Sequence, residues 1–218
     1  MDVEADAWET GAAAWVARVE GAHWEAHDAS IRELLPPPAG LTLDVGCGEG
    51  RLTRLLEAAG YDVVGVDRSE ALIDVARRAH PTGRYRVAPI DALPADDGAA
   101  ALLLCVNVLP HVVDLDRAAA ELARVVSDDG VLVTGHRHPV AEAGTLDTET
   151  GELRVHSYFD RAAHAVPLGD GTVFHQQRTI EDYVRALVRV GFVIDDLREV
   201  ADPAGSAPSF LDLRLVRR

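Results

Sequence analysis

The chain reads as an α/β protein, one domain of 218 residues built on a doubly wound sheet of about seven mostly parallel strands. Short apolar runs bounded by breakers alternate with segments of helical spacing. One run, Ala99 to Val106, is apolar throughout, as a strand covered on both faces must be. Another, Leu41 to Val45, opens straight into a glycine turn and then a helix, the strand–loop–helix junction of such folds.

Taken in order, residues 2 to 35 are expected to be helical. Trp8, Ala12, Trp15 and Val19 share one face, Gly11 and Gly21 loosen the segment, and a second piece from Glu25 to Leu35 carries Ile31, Leu34 and Leu35. Pro36, Pro37, Pro38 and Gly40 bound the first strand, and the helix Arg51 to Ala59 ends at Gly60. Tyr61 to Asp67 is the second strand, followed by an N-cap at Ser69 and a helix bearing Leu72, Ile73 and Val75. Arg84 to Ala88 and Ala99 to Val106 are the third and fourth strands. Asp114 caps a helix with Leu115, Ala118, Leu122 and Val126 in one stripe, and Asp128-Asp129-Gly130 is expected to turn the chain into strand Val131 to Thr134. The alternation then breaks from Gly135 to Thr179, too long a stretch for a simple connection. Thr179 with Asp182 forms a capping-box start for a helix carrying Ile180, Val184, Leu187 and Val188 that Gly191 ends, and Phe192 to Val200 and Phe210 to Val216 close the sheet.

A formal net charge of −15 opposes a nucleic-acid or anionic-membrane partner and favours a small-molecule one. All 21 basic residues are arginine, which excludes lysine chemistry. Cys47 and Cys105 suggest neither a disulfide framework nor a cysteine metal site. The acidic start, MDVEADAWET, lacks an apolar targeting core and no run is long enough to span a bilayer, so the expected location is the cytoplasm. The oligomeric state is not legible.

The glycine loop is the chemical centre. A dinucleotide fingerprint needs glycine where Arg51 stands, and a phosphate loop ending in Gly-Lys-Ser/Thr cannot exist without lysine. Asp44 lies two residues before Gly46, where its charge is expected to repel a pyrophosphate and suit a cationic ligand. Asp67, at the end of the second strand and 19 positions after Gly48, is placed to accept hydrogen bonds from two vicinal ribose hydroxyls.

The run Asp44-Val45-Gly46-Cys47-Gly48-Glu49-Gly50 resembles the first motif of class I S-adenosylmethionine-dependent methyltransferases, and the likeness extends over roughly Leu41 to Val133. It implies a Rossmann-like fold and S-adenosylmethionine as cofactor. The cofactor-binding residues it implies are Asp44, Gly46, Cys47, Gly48 and Gly50 in the loop, Asp67 at the ribose, Arg68 and the pair Asp91 and Ala92 at the adenine, and Asn107 near the transferring methyl. It further implies a lid from residues 1–40, a core at 41–134, a cap from the insertion 135–179, and a closing segment 180–218, with Trp8, Trp15 and Trp24 as possible walls. The resemblance also covers proteins that use the cofactor in another reaction or only bind it. A nicotinamide oxidoreductase is favoured by Asp67 alone and opposed by Arg51 and Asp44.

Methyl transfer from a sulfonium mainly needs positioning in a dry pocket, and a base is required only where the acceptor must lose a proton. The candidates for that base are His111, past the fourth strand, and His138, past the fifth; Tyr158 and His175 are further pocket candidates. His136, His138 and His156 lack recognisable metal-ligand spacing, so no metal is expected. The acceptor, and whether oxygen, nitrogen or carbon is methylated, is out of reach of the sequence.

Overall fold

The computed structural model describes residues 3–20, 24–147, 149–169 and 171–217. Two helices lead, α1 (Val3–Glu20) and α2 (Glu25–Leu34). Regular alternation follows: β1 (Leu41–Val45), α3 (Arg51–Ala58), β2 (Asp62–Asp67), α4 (Glu70–Ala79), β3 (Tyr85–Val87), β4 (Ala100–Val106), α5 (Leu115–Val125) and β5 (Val126–Arg137). The insertion then contributes a short helix, α6 (Pro139–Glu142), and two hairpins, β6 (Gly144–Leu146) with β7 (Leu153–Val155) and β8 (Ala163–Leu168) with β9 (Gly171–Gln176). Helix α7 (Ile180–Arg189) and strands β10 (Phe192–Ala201) and β11 (Pro208–Arg217) complete the chain.

Seven strands form the central sheet in the order β10-β11-β5-β4-β1-β2-β3, with β11 antiparallel to both neighbours and the remaining pairings parallel. This is the Rossmann-like doubly wound sheet expected from the sequence. β1 and β4 lie beside each other at its centre, where the strand order reverses, and their carboxyl ends define the crevice in which such sheets bind ligands. The core on one face joins Leu43, Leu103 and Leu132 to Leu122 of α5 and Leu187 of α7, and the other face packs Leu102, Leu104 and Val133 against Ile31 and Leu34 of α2.

Local sequence explains most boundaries. Ser69 Oγ accepts from the Leu72 N–H, Asp114 Oδ1 from the Arg117 N–H, and Thr179 and Asp182 form a reciprocal capping box. Two readings are corrected. Asp128-Asp129-Gly130 does not end the helix-to-strand connection, because β5 already starts at Val126 and the three residues bulge out of it, the register jumping from Ala100↔Val126 to Leu102↔Val131. Gly11 does not merely loosen α1: a Cβ there would lie 2.7 Å from Leu168 Cδ2, so its bareness lets the β8–β9 hairpin lie against the helix. Gly21 lies outside the described residues.

Helix α1 is held over the sheet from two sides. The Glu9 carboxylate accepts from the first amides of α4, Glu70 at 2.6 Å and Ala71 at 3.0 Å, while Ala7, Trp8 and Trp15 pack on Leu168 and Val173 of the hairpin. α2 is tied separately. Fully buried Asp212 of β11 accepts from His27 Nε2 (2.8 Å) and Ser30 Oγ (2.6 Å), a pairing across 185 and 182 positions that no local pattern announces.

Candidate functional site

A cavity of about 570 Å³ opens at the carboxyl ends of β1, β2 and β4, within the range of about 300 to 1,000 Å³ usual for small-ligand sites. The glycine loop, Asp67 and Arg68, Pro89 to Asp91, Asn107 and His111 line it, and α1 closes it with Trp8 and Trp15.

The glycine loop makes its wall by lacking side chains. Gly46 has φ +72° and a Cβ on it would sit 2.1 Å from Val108 Cγ2, and its N–H is bonded to the Val66 carbonyl at 2.7 Å. Gly48, at φ +55°, donates its N–H to Asp67 Oδ2 at 2.9 Å, while Ser69 N–H serves Asp67 Oδ1 at 2.9 Å. Both oxygens of Asp67 are thus fixed by backbone and keep lone pairs for a ligand. Burial raises its pKa, against the lowering effect of those two amides. Trp15 faces the same loop, its Nε1 lying 3.3 Å from where a Gly48 Cβ would be.

At the end of β4 the chain turns sharply. Asn107 adopts φ +59°, the one non-glycine residue with positive φ among the described residues, and its N–H reaches the Gly135 carbonyl at 2.6 Å. A 3₁₀ turn, Leu109–His111, then delivers His111. Its Nδ1 lies 3.1 Å from the Phe174 carbonyl, which can only accept, so Nδ1 carries the proton and Nε2 holds the lone pair. The ring meets Trp8 edge-on at 5.1 Å. Burial lowers the His111 pKa to about 4, so the imidazole is neutral at working pH.

Gly46, Gly48, Asp67, Arg68, Asp91, Asn107 and His111 therefore converge on one cavity, and five other expected residues do not line it. Asp44 is turned into the protein, where Thr53 Oγ1 donates to its Oδ2 at 2.6 Å and burial raises its pKa to about 7. The acid that a ligand meets beside the loop is Asp67, so the repulsion argument built on Asp44 needs this correction. Cys47 packs with Ile73, Ala76 and Tyr85 on the far side of the loop. Gly50 serves the start of α3, where a Cβ would lie 2.7 Å from Tyr85 Oη. The Ala92 N–H is committed to the Pro89 carbonyl at 3.2 Å, although Asp91 does reach the cavity and pairs with Arg117 at 3.0 Å.

His138 is the clearest correction. β5 runs on beside β11 and carries it away from the cavity, its Nδ1 accepts the Val140 N–H at 3.2 Å as the N-cap of α6, and its Nε2 donates to Glu199 Oε1 at 3.1 Å. Trp24 instead packs near His27 and Phe210, the Tyr158 hydroxyl accepts from the Ile180 N–H, and His175 Nδ1 pairs with Glu142 Oε2 at 2.9 Å. Among the described residues no group of three or more His, Cys, Asp and Glu gathers as a metal cluster, and no helix is long and apolar enough to cross a membrane. Val108, Val112, Val113 and Leu72 are also in the lining; their residue types alone give no signal of a site in the sequence.

Residues 43–134 match the model of a methyltransferase domain. An S-adenosylmethionine-dependent methyltransferase from Mesorhizobium loti superposes with a TM-score of 0.76 at 25% identity, over 91% of this chain and 99% of that one. The core at residues 43–134 is that of a class I S-adenosylmethionine-dependent methyltransferase. S-adenosylmethionine is the cofactor of that domain family. Among sequence relatives, an uncharacterized methyltransferase from Mycobacterium bovis is 38% identical over 103 residues, 47% of this chain and 42% of the relative. A malonyl-[acyl-carrier protein] O-methyltransferase from Serratia marcescens is 32% identical over 96 residues, 44% of this chain and 38% of the relative. The matches thus span less than half the length of these relatives.

Proposed function

We propose that the chain transfers a methyl group from S-adenosylmethionine to a small-molecule acceptor. One observation carries the reading: the backbone-pinned carboxylate of Asp67, the bare glycine wall and the imidazole of His111 face a single cavity under Trp8 and Trp15. The residues fit the cofactor chemically. Asp67 accepts from the two ribose hydroxyls, Arg68 and Asp91 border the adenine, and Gly46 and Gly48 admit the chain carrying the sulfonium, whose positive charge suits a wall with Asp67 in it.

When bound, S-adenosylmethionine supplies a methyl on an already activated leaving group. The protein contributes orientation, worth on the order of 7 to 11 kcal/mol in well-aligned reactants, and exclusion of water by the two indoles. His111 Nε2 takes the acceptor's proton where there is one to lose. Its low basicity suits an acceptor hydrogen that becomes acidic only as the new bond forms. A small acceptor is supported by the size of the cavity and by the net charge of −15. The insertion 135–179 acts as a cap through its β8–β9 hairpin, which packs against α1. The Serratia relative's acceptor is a property of that protein, and the acceptor here is to be found by screening.

The test is calorimetric titration of S-adenosylhomocysteine. Asp67→Ala is expected to weaken binding by about 100-fold or more, two hydrogen bonds to a charged acceptor being worth about 1.5 to 3 kcal/mol each, with the far-UV spectrum unchanged. Unchanged affinity removes the ribose assignment. Incubation with methyl-labelled cofactor and cell extract then separates a transferase, which moves label into an acceptor, from a protein that binds the cofactor for another purpose. With an acceptor identified, His111→Ala is expected to lower turnover more than cofactor affinity.

A further inference from the structure

Arg178 stands between β9 and α7, one position before the Thr179 N-cap. Its guanidinium donates to three main-chain carbonyls more than sixty positions away in sequence: Leu109 at 2.9 Å, Val112, and Val113 at 3.0 Å. It also lies 5.9 Å from the centre of the Tyr183 ring. Those carbonyls belong to the loop that follows β4 and carries His111. The same segment of the insertion provides a second attachment of that loop, the Phe174 carbonyl that receives His111 Nδ1. Two ties of the His111 loop, one on His111 itself and one on the carbonyls around it, thus arise within residues 174–178.

The chemistry asks for arginine. A planar fork with five N–H donors spans several carbonyls at once, whereas an ammonium is a point donor and cannot reproduce that spread. Arg178 is itself held: Thr179, next in the chain, is fixed by the capping box, and Gln177, just before it, is buried with its N–H on the Ala162 carbonyl. The loop it grips begins at Asn107, whose positive φ is a conformation that persists only when its surroundings hold it.

We propose that Arg178 is a positioning residue, which clamps the 107–113 loop to the β8–β9 hairpin so that His111 keeps its Nδ1–H on the Phe174 carbonyl and leaves Nε2 as the proton-accepting nitrogen. This rests on the reading of the cavity given above as a methyl-transfer site. Arg178 touches no ligand on this account; it acts through the loop.

The test uses the full chain labelled with ¹⁵N in histidine, with His111→Gln to assign the resonances, and long-range ¹H–¹⁵N spectra of wild type, Arg178→Lys and Arg178→Gln. Wild-type His111 is expected to show a single neutral Nδ1–H tautomer. In Arg178→Gln the two nitrogen shifts move toward their average as the tautomer is released, and Arg178→Lys falls between. Unchanged His111 shifts in Arg178→Gln overturn the proposal. If that variant does not fold, Arg178→Lys decides, and wild-type shifts there overturn it equally. Failure of wild type to bind S-adenosylhomocysteine refutes the methyltransferase reading instead, and leaves the positioning of His111 to be judged on the spectra alone.

Discussion

Asp44 sits at the end of β1 almost without solvent, 2% exposed, with a hydroxyl bond from Thr53 and with Glu49 and Asp67 close enough to oppose its charge. Burial moves its pKa from 3.8 to about 7. Between those two pH values the folded chain keeps a proton on Asp44 that the unfolded chain has released. The folded state therefore binds more protons, and this contribution to stability is fully present below the unfolded pKa and is lost as pH rises to about 7. A displacement of that size corresponds to about 4 kcal/mol, at about 1.4 kcal/mol for each pH unit. Asp44→Asn cannot ionise, keeps an oxygen for the Thr53 hydroxyl, and has no such slope. Whatever fixed cost the buried amide brings does not depend on pH, so the slope is the readout. Urea unfolding of both proteins from pH 5 to pH 8 is expected to show the stability of wild type relative to the variant falling by about 2 to 3 kcal/mol up to pH 7 and flattening beyond. Parallel curves would mean that Asp44 ionises as an ordinary surface acid, and the account of a loop whose facing charge is Asp67 and not Asp44 would fall.

Two further outcomes follow from the geometry. Gly46→Ala places a Cβ 2.1 Å from Val108 Cγ2 on a backbone with φ +72°, so S-adenosylhomocysteine binding should be lost and stability should drop by at least about 1 kcal/mol, measured by urea unfolding; a variant of wild-type affinity would show that the loop has slack. Asp212→Ala leaves buried His27 and half-buried Ser30 without their acceptor and is expected to cost about 2 to 4 kcal/mol by the same assay, while a loss under about 1 kcal/mol would mean that α2 does not depend on this clasp.

The order of strands and helices was legible in advance because each element carries its own cause. Apolar runs, glycine stops and the caps at Ser69, Asp114 and Thr179 act over a few residues, and the structure keeps them nearly to the residue. Asp67 was legible for a related reason. Its place at the end of a strand beside the glycine turn follows from two adjacent βα units, so a fixed spacing brings it to Gly48. Burial and long-range approach were not legible. Nothing local shows that Asp44 points inward or that Cys47 faces Tyr85, since consecutive residues around a tight turn take opposite sides and only the packed layers decide which side is wet.

The two histidines mark the same boundary. His111 and His138 both follow strand ends, which is all that sequence spacing can state. Tertiary structure separates them, because antiparallel β11 extends β5 and carries His138 off to Glu199, while β4 ends at the sheet's reversal point and turns His111 into the crevice. The sequence by itself determined an α/β chain with a bare, lysine-free glycine loop and an acid spaced to meet it, since these depend on residue type and short separations. Only the folded chain decided which groups share the cavity and how the His111 ring is held, since Phe174 and Arg178 reach it from more than sixty positions away through contacts that exist once the hairpin has docked.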